Sequence, residues 1–425
     1  MNLPQELIEE ILSYLSSRDK QDQQSLRNCS LVAKSWINPS RRRLFETVVI
    51  RTRDRQPWLD KISPSNIELL RHVRSFCFAS ADRQELVPPS KHTDIEDFYV
   101  YFPSFHRLHT IKLLEAHISE RIEMFLPSQR TLSSLILVAV SFPWHSFIAL
   151  IDYFPNLRNL GLTSLSFEDD KRNPPPLSRP LRGKLCFNRS RAATVVTFSD
   201  WLCTGPEVEY EELAIDEGYL TDAPSRRIIA ACGKTLKRLR FQSSECVVSW
   251  ITLRTLTGLT RVSAPVRLPH CPELRELEFS ALYPNPLHMA TISTITSINI
   301  WKITFSSCPP PMVLHIFLSH RCWTSFDDCI SALADNLRKL GSKQTLEVEF
   351  RSEHLAIDPP SVDYKEFLPK FSEKGRVTIV HHFVKWMSPG ACRLFSLTHV
   401  VLPSDSDSSK FLDRTGCMMG RSDVR

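Results

Sequence analysis

At 425 residues and 42% hydrophobic, the chain can bury a large core, and its length fits two or three ordinary domains or one elongated repeat array. A net charge of +6 is mild for such a length and gives no argument for nucleic acid, and no apolar run approaches the ~20 residues that a membrane span needs. Glycine is scarce (11) and proline plentiful (29), which argues against glycine-rich phosphate loops and for many short elements between fixed turns.

The first element is an amphipathic helix. Leu7, Ile8, Ile11, Leu12 and Leu15 recur at helical spacing on one face, and Gln5, Glu6, Glu9, Glu10 and Ser13 fill the other. Pro4 suits a first helical position, where its missing N–H needs no partner. Glu6, Glu9 and Glu10 lie where the helix dipole favours anions. This start is acidic and amphipathic rather than basic then apolar, so no secretory leader is expected ahead of Leu3. The 12 cysteines include no C-x-x-C, and free thiols in a reducing compartment, cytoplasmic and/or nuclear, are the simplest account. Ser17 to Asp22 reads as a polar loop. Helical spacing resumes at Leu26 and runs through Cys29, Leu31 and Val32 to Trp36; Pro39 is expected to break it, with one more turn from Arg41 to Phe45. Arg41, Arg42, Arg43, Arg51, Arg53 and Arg55 read as a solvated helix end and strand edge. Two or three short helices cannot hold a stable core alone, so residues 1–45 require either the rest of the chain or another protein.

The residues of this unit carry a resemblance. Leu3-Pro4-x-Glu6-Leu7-Ile8-x-x-Ile11-Leu12-x-x-Leu15, then Asp19, then Leu26-x-x-Cys29-Ser30-Leu31-Val32-x-x-x-Trp36, resembles an F-box of the fungal type. The loop between Asp19 and Leu26 is longer than usual for the family. The resemblance implies binding to the Skp adaptor of Skp–cullin–F-box ubiquitin ligases, and through it to a cullin. It assigns the adaptor contact to Leu3, Pro4, Leu7, Ile8, Ile11, Leu12, Leu15, Leu31, Val32 and Trp36.

Beyond Phe45, Glu46 to Thr52 alternates like a strand. A weak repeat follows, apolar at offsets 0, 3 and 5: Leu108/Ile111/Leu113, Leu132/Leu135/Leu137, Leu157/Leu160/Leu162, Tyr210/Leu213/Ile215, Leu236/Leu239/Phe241, Leu274/Leu277/Phe279 and Ile295/Ile298/Ile300. Val73/Phe76/Phe78 and Leu259/Val262/Ala264 are poorer copies. Many steps fall in the leucine-rich-repeat range of about 20–29 residues. The step from Leu157 to Tyr210 leaves room for one missing copy or a long insertion. Offset 10 is apolar in most copies (Ile118, Phe142, Phe167, Leu220, Cys246, Phe305). Offset 8, where a well-formed repeat carries Asn or Cys to bind the turn backbone, holds Ala116, Val140, Leu165, Gly218, Ser244 and Leu282. The expected fold is therefore α/β: an N-terminal helical F-box over 1–45, an irregular leucine-rich-repeat-like solenoid arc over 46–340, a C-terminal cap over 341–402 and a disordered tail over 403–425. A generic α/β domain is the competing reading. Outer helices are expected at Ser119–Phe125, Trp144–Phe154, Pro224–Cys232, Met312–Cys322 and Asp327–Leu340, and a proline-rich surface loop at 168–183.

Catalytic patterns are missing: no G-x-S-x-G, H-E-x-x-H, Walker loop or G-x-G-x-x-G occurs, so neither an enzyme nor a cofactor is expected. His381-His382 in one strand point to opposite faces, and His270-Cys271 lacks a second ligand pair, so no metal site is expected. If offsets 3 and 5 face the core, offsets 2, 4 and 6 project from the sheet. That places Lys112, Asn159, Arg238, Arg240, Glu276, Glu278, Asn299 and Trp301 on a candidate surface for an unknown protein substrate. Arg238 and Arg240 either pair with Glu276 and Glu278 or, if the strands are apart, pattern a groove. Trp301 is either an interface anchor or a residue packed under the cap. The function expected from the resemblance is substrate reception for a ubiquitin ligase, with no nucleic acid or membrane partner. The alternatives are a ligase-independent scaffold or an enzyme with an unrecognised site in the C-terminal body.

Overall fold

The computed structural model describes residues 3–15, 20–51, 67–79, 104–116, 131–168, 177–188, 190, 192–205, 207–216, 223–242, 268, 271–280, 286–306, 320–354, 368–387 and 391–399. The expected helix at Ser119–Phe125, the copy at Leu259/Val262/Ala264, most of the proline-rich loop, the greater part of Met312–Cys322 and the tail from 403 lie outside the described residues.

Three helices open the chain: α1 (Gln5–Ser13), α2 (Lys20–Val32) and α3 (Lys34–Leu44). Ile8 and Leu12 of α1 bury against Leu26 of α2, and Leu15, Cys29, Trp36 and Leu44 close around them. Two expectations need correction here. The polar stretch up to Asp22 is not all loop, because α2 begins at Lys20. Pro39 does not break the helix but lies inside α3, where it is buried. The break falls instead at Ala33, extended at φ −159°, which puts Val32 and Trp36 on different helices. Arg43 secures the end of α1: its Nε and Nη2 donate to the carbonyls of Leu15 and Ser13 at 3.0 and 3.1 Å, where a cation suits the helix C-terminus.

Among the described residues beyond α3, one open sheet has 13 strands in the order β1-β2-β3-β4-β6-β8-β9-β10-β11-β12-β13-β14-β15. The strands are β1 (Thr47–Arg51), β2 (Ser75–Ala79), β3 (Thr110–Leu114), β4 (Ser134–Val138), β6 (Asn159–Thr163), β8 (Leu181–Asn188), β9 (Val208–Asp216), β10 (Arg238–Gln242), β11 (Glu276–Phe279), β12 (Lys302–Ser306), β13 (Glu347–His354), β14 (Arg376–Met387) and β15 (Ala391–His399). Neighbours pair in parallel throughout, except that β15 turns back antiparallel on β14. Two short strands, β5 (Ser141–Pro143) and β7 (Ser166–Glu168), make a separate parallel pair. The helices α4 (Trp144–Tyr153), α5 (Ala192–Thr204), α6 (Ala223–Cys232), α7 (Pro286–Ile292), α8 (His320–Lys339) and α9 (Pro369–Ser372) intervene in the chain. Of these, α5 and α7 are not in the sequence reading, and α8 starts before Asp327.

In the five-residue strands β3, β4, β6 and β10, two inward side chains each meet the core. Ile111 and Leu113, Leu135 and Leu137, Leu160 and Leu162, and Leu239 and Phe241 are buried, as are the residues at offset 0, Leu108, Leu132, Leu157 and Leu236. Phe241, Phe279, Phe305 and Phe350 occupy one core row over β10 to β13, stacked at centroid distances of 5.4, 5.3 and 5.6 Å. Phe187 stacks on Phe198 of α5 and Phe305 meets Phe326 of α8 edge-on, so these helices cover the same sheet face.

The turns explain why offset 8 lacks its expected polar residue. Glu115, Ala139 and Ser164 each adopt a left-handed backbone, φ 54°, 54° and 55°, at the same place after their strands. Their N–H groups donate to the carbonyls of Val138, Thr163 and Asn188 at 2.7, 2.8 and 2.9 Å. This backbone ladder satisfies the turn, so Ala116, Val140 and Leu165 can be apolar and buried.

Two copies are corrected by the register. The strand missing between Leu157 and Tyr210 is β8, which begins within the expected loop at Leu181 and buries Leu185 and Phe187. The copy at Ile295/Ile298/Ile300 is displaced: Ile298 is 48% exposed, and β12 buries Ile303 and Phe305, with Ile300 buried just ahead of it.

Gly183 at the β8 bulge has φ +90°, and a Cβ there would lie 2.2 Å from the Arg158 carbonyl oxygen. Gly183→Ala is therefore expected to cost about 3 kcal/mol, read as a lower urea midpoint at unchanged slope.

The thiols of Cys232, Cys271 and Cys329 are raised by burial, the latter two to about 11. Exposed Cys203 should react with iodoacetamide in the native protein, while Cys232 and Cys271 should be labelled only after unfolding. Because the unfolded thiols ionise first, near the usual 9, stability should be intact below that pH and decline as pH rises from 9 toward 11, measured by urea titration across the range.

Candidate functional site

Two surfaces stand out, one on the helices and one on the sheet. On α1 the apolar stripe divides. Ile8 and Leu12 point inward, while Leu7 and Ile11 point out, 45% and 44% exposed, in line with Leu3. At the end of α2, Leu31 and Val32 are 83% and 68% exposed. Pro4 is exposed, whereas Leu15 and Trp36 are half-buried against the helical core. Thus Ile8 and Leu12 hold the unit together, and Leu3, Leu7, Ile11, Leu31 and Val32 supply surface. Tyr14, 79% exposed, is absent from the sequence reading, although it continues the spacing of Leu7 and Ile11. A concentration of large apolar side chains held outward on a small helical unit is the signature of a protein interface.

The helices are fastened to the sheet. Glu46, between α3 and β1, receives Arg43 of α3 and lies 3.5 Å from Arg74, which precedes β2. Its carbonyl also accepts the N–H groups of Arg74 and Ser75, both at 2.9 Å. A cleft of 210 Å³ at this junction is lined by residues including Glu9, Leu12, Arg42 and Arg43.

The outward face of the sheet carries its charge in an ordered row. In register across β8 to β14 stand Lys184, Glu212, Arg238, Glu276, Lys302, Glu347 and Arg376, alternating in sign. Lys184 lies 3.3 Å from Glu212, and Arg238 lies 3.5 Å from Glu212 and 2.7 Å from Glu276. Arg240 is 3.2 Å from Glu278, and Lys302 is 2.5 Å from the buried Glu349, which also takes Arg351. Like charges placed opposite would repel, and alternation avoids this at every step. Of the two readings for Arg238, Arg240, Glu276 and Glu278, pairing across adjacent strands is what the structure has.

The other candidates separate. Lys112 projects from β3 with no ionic partner among the described residues, and Asn159 donates to the Ser134 hydroxyl at 3.0 Å. Asn299 and Trp301 are not strand residues, because β12 starts at Lys302. Asn299 instead donates to the Pro272 carbonyl at 3.2 Å, and the Trp301 ring lies 5.7 Å from the Lys302 ammonium. Among the described residues, no group of three or more His, Cys, Asp or Glu is placed to hold a metal ion. No described helix is long and apolar enough to cross a membrane.

These features define a protein with a helical docking module joined to a broad sheet surface. Residues 1–38 match the F-box domain. The chain carries that domain at its N-terminus and is an F-box protein on that account. None of the curated proteins compared matches the chain. An F-box indicates an adaptor-binding, substrate-recognition role in ligases of the Skp–cullin–F-box type.

Proposed function

We propose that this protein is a substrate receptor, holding the Skp adaptor through Leu3, Pro4, Leu7, Ile11, Leu31 and Val32 and a protein substrate through the outward face of the sheet. The observation that carries the reading is the outward apolar surface of a unit whose residues 1–38 match the F-box. Such a receptor needs no bond chemistry of its own, since tethering raises the concentration of substrate lysines near a charged conjugating enzyme. Strands β1 to β12 belong to an irregular leucine-rich-repeat-like arc over 46–340, with 341–402 as its cap. The in-order parallel strands, the buried offsets 0, 3 and 5 and the recurrent left-handed turns support this. The antiparallel return of β15 suits a cap, which keeps a last repeat from exposing an apolar edge. The protein works in the cytoplasm and/or nucleus, where the adaptor and cullin are found. Affinity purification from cells, with and without proteasome inhibition, tests the reading. The adaptor and a cullin should co-purify, and at least one further protein should accumulate on inhibition. Adaptor capture without a cullin would turn the reading to a ligase-independent scaffold.

A further inference from the structure

The two halves of the sheet face differ in a way that assigns them different work. From β8 to β13 the cations are consumed by neighbouring carboxylates, as in Arg238 between Glu212 and Glu276. From β1 to β6 the row in register is Thr47, Ser75, Thr110, Ser134 and Asn159, neutral throughout. None of the outward strand residues in this half is Asp or Glu. Two are cations, Arg51 at the end of β1 and Lys112 in the middle of β3, and neither has a described carboxylate partner. Between and beside them lie apolar side chains, Val49, 54% exposed, and Ile136.

Resting on the receptor reading above, we infer that the β1–β6 half of the sheet face is the substrate-docking surface and that it takes an extended segment carrying Asp or Glu side chains interleaved with small apolar ones. On the paired half every cation named above already has a carboxylate, so a partner would have to displace internal ion pairs to bind there. The β1–β6 half offers two cations without a described carboxylate partner, the partly exposed hydroxyls of Thr47, Ser75 and Thr110, and aliphatic surface at Val49. The spacing selects carboxylates over a phosphate. Arg51 and Lys112 sit two strands and two residues apart, roughly 12 Å between backbone positions, so they serve two separated anions rather than converging on one. The docked segment also lies beside α3, whose chain runs directly into β1, so it is held next to the adaptor-binding unit.

The test uses the full chain and a fluorescent peptide alternating Glu and Val. Matched peptides carry Gln for Glu, or phosphoserine for two of the Glu residues. The Glu–Val peptide should bind, more weakly as salt rises, and the Gln peptide should not. The double variant Arg51→Glu, Lys112→Glu should lose about ten-fold in affinity, and Arg240→Gln on the paired half should lose less than two-fold. Equal loss in both variants, no loss in the double variant, or binding of the phosphoserine peptide alone would overturn the inference. Adaptor capture by the same preparations reports folding and keeps the two readings apart. If the double variant captures adaptor but not peptide, the docking surface is located. If the wild type binds peptide but never adaptor, the receptor reading fails while this surface stands.

Discussion

Leu7→Asp combined with Leu31→Asp is expected to abolish capture of a Skp adaptor while leaving the thermal transition of the chain within about a degree of wild type. The two side chains lie on different helices and are already exposed, so aspartate costs the free protein little. At the interface each change removes a buried leucine and desolvates a charge. Central apolar positions of this sort are worth about 2 kcal/mol or more each, so the pair predicts a loss on the order of a thousand-fold. Ile8→Ala is the informative contrast. Ile8 is fully buried against Leu12 and Leu26, so its truncation should destabilise the helical unit by about 2–5 kcal/mol. Adaptor binding should then fall only as far as that unit unfolds. Co-purification beside a melting curve distinguishes the two, and wild-type capture by the Leu7/Leu31 variant would overturn the assignment of this surface.

Phe279→Ala is expected to be the most damaging single truncation in the sheet. Phe279 stacks on Phe241 and on Phe305, and its ring lies 4.4 Å from that of the buried His288 of α7. Removing it interrupts the aromatic row in the middle and unseats a helix, so about 3–5 kcal/mol should be lost in urea unfolding. On the opposite face of the same strand, Glu276→Gln removes one partner of Arg238, yet that arginine keeps Glu212. Pairs this exposed are worth about 1 kcal/mol or less, so the Gln variant should stay within that range of wild type and lose its difference at high salt.

The local patterns carried a good deal. Helical spacing places α1, alternation places β1, and the apolar triplet at offsets 0, 3 and 5 places β3, β4, β6, β9, β10 and β11, because these elements bury side chains at recurring positions. The same rule failed where the apolar period is broken or ambiguous. At β8 the strand opens on Leu181-Arg182-Gly183-Lys184 with a bulge, so no clean triplet announces it. Near Ile300 two overlapping triplets compete, and only burial against Phe279 and Phe326 chooses the later one. By propensity Pro39 is a helix breaker, yet α3 absorbs it. On α1 the spacing marked Leu7, Ile8, Ile11 and Leu12 as one face; it could not say which were inward.

By itself, then, the sequence determined the F-box motif, the positions of most strands and which offsets would be apolar, since these follow from nearest neighbours along one chain. Only the tertiary structure decided how that surface is used. Burial against α2 split α1 into a packing side and an outward side. Parallel register aligned Lys184, Glu212, Arg238, Glu276 and Lys302, residues far apart in the chain, into a row of alternating sign, and left Arg51 and Lys112 at the other end with no carboxylate partner among the described residues. Charge pairing depends on which strands are neighbours, and no periodicity within a segment encodes its neighbour.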